Sequence, residues 1–143
     1  MSTSDSTGPE GATFDPWGLV LGLFGLGNLA NGIWMLVDPV HWFHTLPAGV
    51  PDFGPLNEHF IRDIGCIFTL LGSGLVASAF VPSLRVVACG AAAGFSVLHA
   101  LVHVLDTARG LVGPEHWGMD APLVYGPAVI LCGLTLWLAR ASR

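Results

Sequence analysis

The chain has 143 residues, and its ten acids outweigh five arginines and no lysine to leave a net charge of −5. Only 10% of the residues are charged and 52% are hydrophobic, with a mean hydropathy of +0.67, whereas a soluble domain carries about 25% charged residues. This composition excludes an ordinary water-soluble domain, and the absence of any basic patch able to neutralise phosphates excludes nucleic acid as a partner.

Residues 1–16, "MSTSDSTGPEGATFDP", are polar, small and acidic and lack the basic start of a cleaved signal peptide, so they are expected to form a disordered acidic leader. A bilayer core needs about 20 mostly apolar residues per helix. Four stretches satisfy this, at about 17–37, 57–81, 84–105 and 122–139. The fold class they predict is all-α, an integral membrane four-helix bundle formed by residues 17–143. The "VPSLR" turn between the second and third spans is short enough to require an antiparallel hairpin, and Trp17, Trp34, Trp42, Trp117 and Trp137 fall near the ends of spans, where aromatic belts form. Glycines in "GLVLGLFGLG" and at Gly90-x-x-x-Gly94 offer faces for close helix approach. Cys66, Cys89 and Cys132 lie in apolar stretches without paired spacing and read as buried thiols. Pro127 leaves the carbonyl of Leu123 without its helical donor and predicts a kink in the last span.

An even number of spans places both termini on one side of the lipid bilayer. That side carries Arg85, Arg140 and Arg143, whereas Arg62 and Arg109 on the other can pair with Glu58 and Asp106 along their own helices. The positive-inside rule therefore expects cytoplasmic termini.

All six histidines fall on the side away from the termini. His41 and His44 lie in the long loop after the first span, His59 opens the second span, His99 and His103 close the third, and His116 lies in the last loop. Residues four and seven apart share a helical face, so His99, His103 and Asp106 form one stripe and His59 and Asp63 another. Asn28, Asn31, Arg62 and Tyr125 lie at or near the same level. The expectation is a single pocket to which all four helices contribute, with His59, Asp63, His99, His103 and Asp106 at its centre. Asn28 and Asn31 also suit interhelical hydrogen bonding, and His41, His44 and His116 read as interfacial residues without a role.

Imidazoles and carboxylates in an apolar bundle suit iron, zinc or manganese, with His59, His99 and His103 as ligands, Asp63 and Asp106 as ligands or orienters, and Arg62 balancing the acids. Haem held axially by His59 and either His99 or His103 is the companion expectation. Without a cofactor, a His–Asp pocket could carry out acid–base chemistry on a lipid-soluble small molecule, as an isomerase or a quinone site. The chain could also be an accessory subunit of a larger membrane complex or one copy of a homo-oligomer. No P-loop, nucleophile elbow or dinucleotide fingerprint is present.

At "EHFIRDIG" followed by "LHALVHVLD", the chain resembles a group of small uncharacterised bacterial four-helix membrane proteins. Their second helix opens with HF-x-R-D-x-G and their third closes with LHALVH-x-x-D. The resemblance spans roughly residues 17–140. It implies the four-helix fold and singles out His59, Arg62, Asp63, His99, His103 and Asp106, but it implies no activity.

Overall fold

The structure, a computed structural model, describes residues 15–141. The expected leader lies outside the described residues except for Asp15 and Pro16. Asp15 caps the first helix, α1 (Pro16–Val37), by accepting a hydrogen bond from the Gly18 amide at 3.0 Å, with proline at the first helical position. Asp38 caps the short α2 (Pro39–Thr45) in the same way, through the His41 amide. A 3₁₀ turn at Val50–Phe53 follows. Asn57 then caps α3 (Glu58–Phe80) through the Phe60 amide. A second 3₁₀ turn, Pro82–Leu84, leads into α4 (Arg85–Ala108). The last crossing is composite: α5 (His116–Met119), a π-helical turn at Ala121–Tyr125, then α6 (Gly126–Ala141).

Four segments, Pro16–Val37, Glu58–Phe80, Pro82–Ala108 and His116–Ala141, are long and apolar enough to cross a membrane, as an integral membrane protein requires. The first three match the expected spans closely. The fourth begins at His116 rather than near residue 122. The disturbance expected around Pro127 is met one turn earlier as the π turn, in which the Asp120 carbonyl accepts from both the Val124 amide (2.8 Å) and the Tyr125 amide (3.2 Å).

The tightest packing joins antiparallel α1 and α3. Gly18, Gly25 and Gly32 recur every seventh residue on α1, facing Gly65, Gly72 and Ala79 at the same spacing on α3. A Cβ on Gly25 would lie 2.7 Å from the Val76 amide nitrogen, and one on Gly32 would lie 2.6 Å from that of Thr69. The seam thus brings backbone against backbone, a contact only glycine permits. Gly90-x-x-x-Gly94 is not such a seam: Gly94 faces open space, and a Cβ on Gly90 would make ordinary contact with Thr135 at 3.6 Å.

The main core joins Leu21, Leu75, Cys89, Ala92, Ala93, Leu131, Leu134 and Leu138. Of the three thiols expected to be buried, Cys89 is buried, Cys132 is half-buried against the core, and Cys66 is exposed. A second core of Met35, Trp42, Phe43 and Ile61 seats α2 against the loop end of the bundle. At the opposite end Arg85 ties three helices together: its guanidinium pairs with Asp15 and donates to the Ser78 carbonyl at 3.2 Å.

Candidate functional site

At the loop end, four ionisable side chains from three parts of the chain form a connected line. The His103 Nδ1 on α4 is 2.8 Å from Asp120 Oδ2. The other carboxylate oxygen of Asp120 faces His116 Nδ1 at 3.4 Å. The far ring nitrogen of His116 meets Asp52 Oδ2 at 3.2 Å. His116 and Asp120 are fully buried (0% exposed), whereas the Asp52 side chain is 56% exposed. The line therefore runs from solvent through two buried groups to a helix wall.

Local structure delivers each member. His116 and Asp120 sit four residues apart across α5, and so share a face. The π turn that follows fixes Asp120 through its own carbonyl. Asp52 and Phe53 come from the 3₁₀ turn entered at Gly49, whose φ of +59° lies in the left-handed region that glycine adopts without penalty. A side chain there would also press on the site, since a Cβ would lie 3.0 Å from His116 Cε1. Phe53 packs against both imidazoles, its ring centroid 4.7 Å from His103 and 4.7 Å from His116. Deeper along α4, His99 meets His103 edge to face at 4.6 Å and stacks on Phe95.

The chemistry follows from donors and acceptors. Both nitrogens of His116 face carboxylate oxygens, so with both acids ionised the ring carries two N–H groups and a positive charge. Asp120 accepts from two imidazoles, which compensates a buried carboxylate that would otherwise be strongly unfavourable. The Nδ1–H of His103 donates to Asp120, leaving Nε2 as its basic atom. The Tyr125 hydroxyl is buried close to Thr107 without a hydrogen bond of normal geometry.

The expected pocket is therefore assembled from partly different residues. His103 belongs to the line and His99 adjoins it. His59 and Asp63 instead pair with each other at 3.4 Å on an outward face of α3, with side chains 88% and 60% exposed. Arg62 pairs with Glu58 at 2.9 Å on the same exposed helix. Asp106 is half-buried and makes no ion pair among the described residues, so the expected pairing with Arg109 does not form. Asn31 holds α2 to α1 by accepting from Trp42 Nε1 at 2.9 Å, and Asn28 donates to the Phe24 carbonyl of its own helix. His41 accepts the Trp34 indole N–H, and His44 packs on Phe43.

The expected ligand sets do not converge. Among the described residues, no three His, Cys, Asp or Glu side chains gather as a metal ion would need. An axial haem pair needs imidazoles on opposite sides of a flat ring, but His99 and His103 touch on one helix and His59 faces away. Three members of the actual line, Asp52, His116 and Asp120, were not among the expected site residues. The signal for two of them was present in the sequence: His116-x-x-x-Asp120 repeats the spacing of His59-x-x-x-Asp63.

Comparison of the chain with protein-family models, with curated proteins and with solved structures returns no match. The fold and site define its class on their own: a helical bundle suited to the bilayer, with a buried imidazole–carboxylate line at one end.

Proposed function

We propose that the protein performs acid–base chemistry on a lipid-soluble molecule at the loop end of the bundle. His103, oriented by Asp120, is the group that takes and returns the proton at Nε2. The single observation that carries this reading is Asp120, fully buried with an imidazole on each oxygen. A carboxylate so placed holds one imidazole in a fixed tautomer and stabilises its charged form, which is how acid–base sites prepare a histidine. A proton taken from the substrate at His103 Nε2 creates a second positive charge beside Asp120. That charge favours release of a proton from His116 Nε2 to Asp52, and from there to water. One proton enters the line and one leaves. Tyr125, whose buried hydroxyl lies close to Thr107, supplies a further donor near the same carboxylate.

The chain is further proposed to lie in a bacterial inner membrane, as its resemblance to small bacterial membrane proteins implies, with its termini cytoplasmic, a reading supported by Arg85 and Arg140 at the terminal end. A metal or haem site is the weaker reading, because the ligands it requires point apart.

The test is to extract wild-type, His103→Gln and Asp120→Asn proteins directly into native-lipid nanodiscs and to compare their bound small molecules by mass spectrometry and their metal content. A carbonyl, phenol or quinone species retained by the wild type and depleted from both variants is the expected result. Identical bound species in all three would overturn the acid–base reading. Stoichiometric iron, zinc or manganese, or a haem absorption band, would replace it with the metal or haem reading.

A further inference from the structure

The outward faces of the four crossings differ in chemistry. Those of α1, α4 and α6 present large apolar side chains such as Leu19, Leu23, Val87, Leu98, Val129 and Leu136, which suit lipid tails. The outward face of α3 also carries exposed Leu70, with Phe60 and Phe80 toward its ends. Alone among the four, however, it sets an arginine and an acid, Arg62 and Asp63, beside exposed Cys66, with exposed Ser73 and Ala77 further along. Charged and small polar groups on a membrane-facing stripe are unfavourable toward lipid and favourable toward another helix.

The geometry points to a second copy of this chain as the occupant, joined through α3 about a two-fold axis along the membrane normal. Successive residues turn by about 100° around a helix. Cys66, four residues after Arg62 and three after Asp63, therefore falls between them, with Arg62 on one edge of the stripe and Asp63 on the other. A two-fold axis sets opposite edges of identical parallel helices against each other. Arg62 of one copy then meets Asp63 of the other, twice, and the two Cys66 thiols approach at the middle of the seam. Each charge already has a partner on its own helix, Glu58 for Arg62 and His59 for Asp63, so the contact joins two local pairs into one network. Below it, the exposed Leu70 of each copy packs across the seam, and Ser73 and Ala77 allow close approach further along. This inference is independent of the acid–base site.

Cys66 is a built-in probe. The purified full chain, reconstituted in liposomes at high lipid-to-protein ratio, is treated with a short thiol-to-thiol crosslinker. A crosslinked dimer is expected in the wild type and lost in Cys66→Ser. Arg62→Asp alone and Asp63→Arg alone should each reduce the dimer several-fold, because each places like charges across the seam. The double variant R62D/D63R should restore it. Retained helical content by circular dichroism shows that the exposed substitutions leave the fold intact. A monomer whose Cys66 reacts with a monofunctional maleimide but never crosslinks would overturn the proposal. So would a dimer that survives Cys66→Ser, or one indifferent to both charge reversals.

Discussion

His103 and Asp120 are separated by 17 positions in the sequence, yet their side chains meet at 2.8 Å, joining α4 to the entry of the last membrane crossing. Removing one partner from a buried, compensated ion pair costs about 3–5 kcal/mol, because the charge left behind is desolvated and unpaired. Asp120 is bonded on both oxygens, so its neutral replacement strips two imidazoles of their acceptor at once. Asp120→Asn should therefore lose about 3 kcal/mol or more, measured as a fall in chemical-denaturation midpoint in detergent. Asp63→Asn, in an exposed pair of the same residue types, should change stability by no more than about 0.5 kcal/mol. Equal effects of the two substitutions would contradict the assignment of Asp120 as the keystone of the loop end.

The glycine seam makes a sharper distinction. At Gly25 and Gly32 an added methyl meets backbone atoms that cannot rotate away, 2.7 and 2.6 Å from the nearest amide nitrogens. Overpacking of this kind costs about 1–3 kcal/mol where side chains can yield, and at least as much where backbone must move. Gly27 and Gly94 have nothing within 4 Å of a built Cβ. Alanine there removes a helix-weakening glycine, a gain of up to about 1 kcal/mol. Thermal unfolding of the four single alanine variants should split them into two destabilised and two neutral or stabilised proteins.

The two asparagines of α1 should differ in the same way. Asn31 accepts the Trp42 indole N–H that anchors α2, and Trp42 is buried. Asn31→Ala leaves that donor without its acceptor, at about 1–3 kcal/mol. Asn28 donates only to the Phe24 carbonyl, one turn back on its own helix, so Asn28→Ala should lose little. Equilibrium unfolding followed by tryptophan fluorescence reads both, and the indole environment of Trp42 should change only in the Asn31 variant.

The four crossings were legible because membrane spans are written in mean hydropathy, which needs no knowledge of what packs where. The direction in which each polar stripe looks was not. His59 and Asp63 share a face by spacing alone, but spacing cannot say whether that face turns inward, and it turns outward because the opposite side of α3 is occupied by the Gly65 and Gly72 seam. The seam is written as a seven-residue glycine period on α1, but the four-residue spacing of Gly90 and Gly94 looks equally suited to close packing, and only the neighbouring helix tells the two apart. The buried line was hidden for another reason. Asp52 and His116 lie in connections whose path depends on turns, at Gly49 and at α5, that tertiary packing fixes. The side chains such turns deliver cannot be placed from periodicity.

The terminal end carries a pH dependence of its own. Hydrogen bonding from Arg85, and then from the Gly18 amide, holds the Asp15 carboxyl below its ordinary range. A group whose folded-state pKa is depressed contributes stability in its charged form. That contribution is complete above the unfolded carboxylate value of about 4, and it is lost as pH falls through the lower folded value. Asp15→Asn removes the titrating group, the Arg85 pairing and the charged cap together. The wild type should therefore be more stable than Asp15→Asn at neutral pH, and the gap should narrow below about pH 4 as Asp15 takes up its proton. Paired thermal scans of the two proteins across that range check both the sign and the window. A gap that stays constant down to the lowest pH would mean that Asp15 acts as a neutral cap for α1, and that Arg85 holds the helix ends through the Ser78 and Ala79 carbonyls without it.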